Sequence, residues 1–345
     1  MDFKKTYDLK VGYTCNNHCI HCVIETNALD LKRKSTKIDS TYAQLIEEIN
    51  SEEFRNAGKI VLTGGEITIR RDFMRIVQAI VKAQPNKEIH IQTNARNLKP
   101  YVKELKELSN NIFYIVAVHS STKELHDKIV GNQFDLKSPY TETMEAIHEI
   151  IDVYGSFDRY ARIEIVLSKY NYFDLPKTIK DLHQIGVKHI GVSYPHLDGF
   201  LFEFGVEKIQ DIGMSYESVK PYLYETYCYL KENKDIVVEF EEVPPCMWRD
   251  NQGKLLPMLP NLGRMAESGD GITVKFPGQS IETNFSQIWD SMHKQAPMCS
   301  QCAIKCNCKG VWHEAVVAWG DLGFVPITDE EMKLTKMGGT DNCSY

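Results

Sequence analysis

Short β-branched or apolar runs alternate with amphipathic stretches through about two thirds of this 345-residue chain, and that alternation narrows its fold more than any other feature. Strands are expected at Tyr7–Tyr13, Lys59–Thr63, Glu88–Thr93, Ile112–Val118, Arg162–Leu167 and His189–Ser193. Between and after them, helical spacing is expected over Ser40–Ala57, Asp72–Ala83, Leu98–Ser109, Thr141–Tyr154, Asp174–Ile185 and Ser215–Lys231. Repeated βα units build a parallel sheet. Six of them suit either a barrel that stops short of eight strands or a doubly wound open sheet.

In both architectures function gathers at the carboxyl ends of the strands. A loop with three cysteines follows the first strand and Thr63-Gly64-Gly65-Glu66 the second. Thr93-Asn94 follows the third, His119-Ser120-Ser121 the fourth, and Tyr194-Pro-His196-Leu-Asp198 the sixth. Glu164 interrupts the apolar fifth strand, where barrel side chains alternate between lumen and helix layer. A carboxylate toward the helices needs a buried partner, so the lumen is the cheaper place for it. Asn171 is a candidate helix cap or ligand contact.

The cysteine loop reads Cys15-x3-Cys19-x2-Cys22. On one short loop that spacing can hold three irons of a cubane four-iron cluster and leave the fourth open to a ligand. Structural zinc is the alternative, with His18 or His21 as nitrogen ligands, although zinc pairs usually come as Cys-x2-Cys followed by a second pair. A disulfide framework fits poorly. Ten cysteines in 345 residues do not make a small secreted scaffold, and no apolar signal segment opens the chain. A cytoplasmic setting, with thiols reduced or metal-bound, is expected.

Composition excludes some classes. A net charge of −7 argues against general affinity for nucleic acid or anionic membrane. No apolar run reaches membrane-spanning length. With 43% hydrophobic residues the chain can bury a large core.

The cysteine triad after a first strand, with Gly64-Gly65-Glu66 after the second, resembles the radical S-adenosylmethionine (SAM) superfamily. The resemblance implies a partial (β/α)6 TIM barrel over residues 1–232, a catalytic four-iron cluster on Cys15, Cys19 and Cys22, and reductive cleavage of SAM to a 5′-deoxyadenosyl radical. It implies SAM contacts at Gly64, Gly65, Glu66, Thr93, Asn94, His119 and Ser120. The glycines would let backbone approach the methionyl amine, and Glu66 or a nearby carbonyl would accept its hydrogen bond. His21 stands where the family usually has an aromatic residue. His126-Asp-Lys-Ile-Val-Gly131 resembles a stretch of the peptide-modifying branch, with His126 as a loop anchor. Glu164, Tyr194, His196 and Asp198 are candidate catalytic or substrate residues.

Cys299-x2-Cys302-x3-Cys306-x-Cys308 is dense enough to read as a metal site, with iron–sulfur favoured by its company. Cys299-x2-Cys302-x5-Cys308 resembles the SPASM/Twitch extension, which implies one auxiliary four-iron cluster domain over residues 233–345. Trp312 stands where a full SPASM domain has a further cysteine. Cys246, after Val-Pro-Pro, is the favoured fourth ligand, with Cys343 its rival. Cys306 is cramped against Cys308, and Cys228 reads as a core thiol.

A cluster with four protein thiolates accepts an electron rather than a substrate. Oxidative modification of a peptide or protein, by crosslink or dehydrogenation, is therefore expected. The alternatives are a small-molecule radical dehydrogenase and a non-catalytic iron–sulfur or zinc protein. Expected partners are a peptide or protein substrate, a separate leader-binding protein, and a reductant such as flavodoxin or ferredoxin. The Gly- and Pro-rich segment 255–285 is a candidate cover for the site or a spacer.

Overall fold

The computed structural model describes residues 6–22, 39–131, 137–264, 272–275, 283–284, 291–320 and 322–335. Cys343 and much of the 255–285 segment lie outside these residues. The strands are β1 (Thr6–Lys10), β2 (Lys59–Thr63), β3 (Glu88–Thr93), β4 (Ile112–Ala117), β5 (Ala161–Val166), β6 (His189–Ser193), β7 (Val237–Glu241), β8 (Leu262–Arg264), β9 (Ile272–Lys275) and β10 (Thr283–Asn284). They form one sheet in the order β10-β9-β1-β2-β3-β4-β5-β6-β7-β8. Every neighbouring pair is parallel except β10 with β9.

All six expected strands are present, and β2, β3 and β6 have the expected limits. The sheet does not stop at residue 232, however. β7 pairs with β6 through the register His189 to Val237, and β9 pairs with the far side of β1. Residues from both expected units thus share one sheet.

Helices follow from local caps. Thr41 and Gln44 form a reciprocal capping box that starts the helix Tyr42–Ile49, and the Ser51 side chain caps a second helix, Glu52–Asn56. The single helix expected over 40–57 is therefore two, because Ser51 offers its hydroxyl to Phe54 N–H instead of continuing the first. Ser138 caps the helix Pro139–Tyr154, which ends at Gly155 with φ 74°. Four described helices escaped the pattern, two of them, His313–Trp319 and Asp329–Thr335, beyond the last expected one. Lys123–Val130 is short and polar, and Asp198–Ile212 is broken by Gly205 at φ 76°.

Period-2 alternation places the site. Leu9, Leu62, Ile91, Val116, Ile163, Val192 and Phe240 belong to the hydrophobic core under the helices. Their neighbours Lys10, Thr63, Gln92, Ala117, Glu164, Ser193 and Glu241 line a cavity on the other face. Among the described residues no helix is long and apolar enough to cross a membrane.

Candidate active site

At the carboxyl ends of these strands the sheet encloses a cavity of about 640 Å³. Cys15, Cys19 and Cys22 line it, together with Gly64, Gly65, Glu66, Thr93 and Asn94. His119, Glu164, Tyr194 and His196 line it too, as does Trp312 from the C-terminal part.

The cysteine segment is held from several sides. Asp39 Oδ1 accepts the backbone N–H groups of Tyr13 and Thr14 at 2.9 and 3.0 Å. Backbone N–H groups of His18 and Ile20 donate to Val130 and Ile129 at 2.7 and 3.0 Å, so the helix Lys123–Val130 buttresses the loop. Arg96 donates to Asn16 O at 2.6 Å, Asn17 Oδ1 at 2.9 Å and Glu142 Oε2 at 2.6 Å. Neither Asp39 nor Arg96 has a local sequence signal, because each acts on residues 25 or more positions away.

Gly64 and Gly65 make their close approach to the protein's own backbone. A Cβ on Gly65 would lie 2.1 Å from Thr14 O, and one on Gly64, at φ 134°, would lie 2.4 Å from Gly12 O. Gly65 N–H and Glu66 N–H donate to Gly12 O and Thr14 O. The glycines therefore seat the second loop directly on the cysteine loop.

Glu66 is buried and its carboxylate is filled by the protein. Oε1 accepts Thr68 N–H at 3.0 Å and the hydroxyls of Thr68 and Thr93 at 2.5 and 2.7 Å. Oε2 accepts Asn94 N–H at 2.7 Å. Burial pushes the Glu66 carboxyl up, against these bonds. Its work here is to tie the loops after β2 and β3 together. Asn94 then reaches the cysteine segment, donating to Asn16 Oδ1 at 2.8 Å and toward Cys15 Sγ at 3.8 Å. Asn17 N–H donates to the same sulfur at 3.4 Å. Burial nevertheless pushes the Cys15 thiol up to about 12. A thiolate there needs the charge of a metal, which deprotonates a coordinating thiol outright.

His21 and His119 meet edge to face with centroids 4.7 Å apart. One ligand atom each of Cys19, His21 and His119 falls within 4.8 Å of the others. His119 Nδ1 accepts Val166 N–H at 3.2 Å, so the neutral ring carries its hydrogen on Nε2. That tautomer makes the free side of His119 a hydrogen-bond donor rather than a metal ligand. Burial holds His119 well below its ordinary range and lowers His21 to about 4. His21 Nδ1 is buried with no hydrogen-bond partner among the described residues. Three thiols, a buried imidazole nitrogen with no partner among the described residues and a neutral donor around one cavity fit a cluster carrying a polar organic ligand.

Other expected contacts are used elsewhere. Ser120 does not line the cavity; its hydroxyl is buried and donates to Asp174 Oδ2 at 2.5 Å. Ser121 donates to Asp181 at 2.7 Å. Asn171 makes no side-chain cap; it donates to His119 O and Val166 O at 2.8 and 3.0 Å, stapling β4 to β5. His126, on the helix Lys123–Val130, anchors the loop after β4: its Nδ1 accepts His119 N–H at 3.2 Å. The Asp198 side chain lies outside the described atoms.

The far wall is acidic. Ser193 donates to Glu241 Oε2 at 3.0 Å and sits 3.4 Å from Glu164 Oε1, while Arg162 lies 3.2 Å from Glu164 Oε2. Burial raises both carboxyls, Glu241 to about 7. Lys10 is the only Lys or Arg among the described lining residues. His196 Nδ1 lies 2.9 Å from Glu314 Oε1, and its ring stacks on Trp312 with centroids 4.3 Å apart. Glu241, Glu314 and the placement of Trp312 went unread in the sequence, since Glu314 meets His196 across 118 positions.

Cys246, Cys299, Cys302 and Cys308 line a second, small apolar pocket with Pro244, Pro245 and Phe324. Cys246 is presented by the turn Pro245–Met247, and Cys299 by the turn Pro297–Gln301. Burial, reinforced by Cys308, Cys302 and Cys299, pushes the Cys246 thiol up to about 12. Cys306 is exposed and does not line this pocket. Cys228 is exposed on the helix Tyr216–Glu232, correcting its reading as a core thiol; the outer face of an amphipathic helix took it instead.

Comparison with known proteins places this arrangement. A GTP 3′,8-cyclase of Aquifex aeolicus is 32% identical over 134 residues, covering 37% of this chain and 40% of its own. The chain spans less than two thirds of the length of the curated relatives it matches first. The structure of anSMEcpe with bound AdoMet and Cp18Cys peptide is similar over 96% of this chain and 94% of its own, with TM-score 0.59 and 13% identity. Streptococcus suis SuiB bound to precursor peptide SuiA is similar over 70% and 49%, with TM-score 0.53 and 15% identity. At these identities the structural likeness is one of fold. Residues 9–182, half of the chain, match the radical SAM superfamily, and the chain belongs to that family.

Proposed function

We propose that this radical SAM enzyme carries one auxiliary four-iron cluster and oxidatively modifies a peptide or protein. In this reading Cys15, Cys19 and Cys22 hold the catalytic cluster, and the adjoining cavity holds SAM. Bound there, cluster and SAM supply homolytic hydrogen abstraction. The protein's part is to fix the loops through Glu66, Arg96 and Asp39, and to present His119 as a neutral donor. The observation that carries the auxiliary cluster is the convergence of Cys246 on Cys299, Cys302 and Cys308 in one small apolar pocket. Four thiolates complete a cubane and leave no iron for substrate, which suits electron acceptance. The C-terminal residues 233–345 supply that pocket and close the cavity with Trp312.

Sequence similarity to GTP 3′,8-cyclases favours a second reading, in which the substrate is GTP. The lining weighs against it. A triphosphate calls for clustered cations, whereas the described lining offers Lys10, itself 3.2 Å from Asp8, against Glu66, Glu164 and Glu241. A peptide matches better, and both peptide-bound structures named above share the fold.

Anaerobic reconstitution with iron, sulfide, SAM and dithionite tests the reading. The enzyme should form 5′-deoxyadenosine and remove two hydrogens from a short peptide encoded beside its gene, seen by mass spectrometry. Conversion of GTP, with no peptide modified, overturns the peptide substrate. Absence of 5′-deoxyadenosine above background overturns SAM cleavage itself.

A further inference from the structure

The cavity wall opposite the cysteines carries a histidine held by a buried carboxylate from a distant part of the chain. Glu314 stands in the first turn of the helix His313–Trp319, and its side chain is 2% exposed. Its Oε1 accepts Leu197 N–H at 2.6 Å and faces His196 Nδ1 at 2.9 Å. An oxygen that takes both contacts is an acceptor, so Nδ1 carries the imidazole hydrogen and Nε2 keeps its lone pair. His196 lines the cavity, and Nε2 has no protein partner among the described residues. The Trp312 face, 4.3 Å away, fixes the ring plane. A carboxylate, an oriented imidazole and an open lone pair in a cavity constitute a general base.

The surroundings select what it deprotonates. Glu314 Oε2 is buried without a partner among the described residues. Glu241 and Glu164 line the same cavity as His196, and Arg162 lies 3.2 Å from Glu164 Oε2. Removing a proton from a thiol or alcohol leaves an anion, which this wall repels. Removing one from an ammonium leaves a neutral amine. Above about pH 7, where Glu241 is charged, the wall also attracts the ammonium beforehand.

We propose that the His196–Glu314 pair is a catalytic base that takes a proton from a substrate ammonium group drawn in by Glu164 and Glu241. In that step an N–H bond of the ammonium breaks and an Nε2–H bond of His196 forms. The electron pair stays on the substrate nitrogen, and no oxidant is needed. The substrate class is a primary amine, such as a lysine side chain or an amino terminus. This deepens the peptide reading, but the test does not depend on it.

The test follows the imidazole nitrogens of [15N]histidine-labelled protein by long-range 1H–15N correlation, with His196→Gln assigning the resonance. The free protein should show Nε2 unprotonated. Titration with n-propylammonium chloride should shift that resonance upfield by a hydrogen bond from the ammonium to the Nε2 lone pair, short of the protonated value, because an alkylammonium holds its proton about four pK units more tightly than imidazole. Tetramethylammonium, with the same charge and no transferable proton, should leave it in place. Glu314→Gln should weaken the propylammonium response at least severalfold, and Gln keeps the shape and the acceptor for Leu197 N–H. Nε2 protonated in the free protein, or no response to propylammonium, overturns the proposal. An equal response to both cations also overturns it, since charge alone would then explain the shift. None of these readouts requires SAM cleavage, so the failure of this inference and of the peptide reading are separate results.

Discussion

Arg96 donates to the backbone carbonyl of Asn16 at 2.6 Å, binding the loop after the third strand to the segment that carries the cysteines. The same guanidinium holds Glu142 on a surface helix, so one side chain joins sheet, helix and cluster loop. A charge-assisted hydrogen bond contributes about 1.5–3 kcal/mol net. Arg96→Ala should lose that order of stability and, more sharply, bound iron after reconstitution. Arg96→Lys should recover little, because an ammonium cannot fork across Asn16, Asn17 and Glu142. Iron content beside a thermal melt checks it: full iron loading in the alanine variant would mean the cysteine loop holds its shape unaided.

Gly65→Ala inserts a methyl 2.1 Å from Thr14 O, and the obstacle is backbone rather than a movable side chain. Overpacking of this kind costs about 1–3 kcal/mol. Relaxation must displace residues 13–14, so cluster assembly should suffer more than folding. The absorbance of the reconstituted cluster should drop severalfold while far-UV dichroism stays unchanged. Normal absorbance would show that the two loops can separate.

Glu241 gives a pH signature. Burial lifts its carboxyl from 4.5 to about 7 in the folded protein, so the native state binds more protons than the unfolded chain between those values. Stability therefore falls as pH rises through that window, by an amount of order 3 kcal/mol once the group is fully charged. Glu241→Gln removes the charge and keeps the shape. It should be more stable than the parent above pH 7 and show no such advantage below 4.5. Urea midpoints on both sides of the window measure this; a pH-independent difference would place Glu241 in better contact with water than its burial implies.

Cys246→Ser separates the two thiol sets. Two four-iron clusters predict about eight irons per chain, and the variant should hold about four. SAM cleavage should survive and product formation should fall. Iron retained near eight would pass the fourth ligand to another cysteine.

Much of this was legible in the sequence. Lys59–Thr63, Glu88–Thr93 and His189–Ser193 announce themselves through β-branched runs between turn residues, and the cysteine and glycine loops follow from where such strands end. Contacts between distant segments carry no comparable signal. The place of β7 beside β6 depends on register across some fifty residues. Glu66 looked like a ligand contact because its sequence neighbours show neither Thr93 nor Asn94. Ser120 looked accessible, yet Asp174 had already taken its hydroxyl. Glu314 stands in an ordinary short helix, and only folding brings it to His196.

The pairing of β1 with β9 bears on biosynthesis. The strand that leads into the cysteine loop has one neighbour at residues 59–63 and the other at 272–275. On a translating ribosome its outer edge stays bare until residues 272–275 have been made, some two hundred positions after β2. The strand that leads into the cysteine loop therefore gains its second neighbour only after the other seven parallel strands of the sheet have been made.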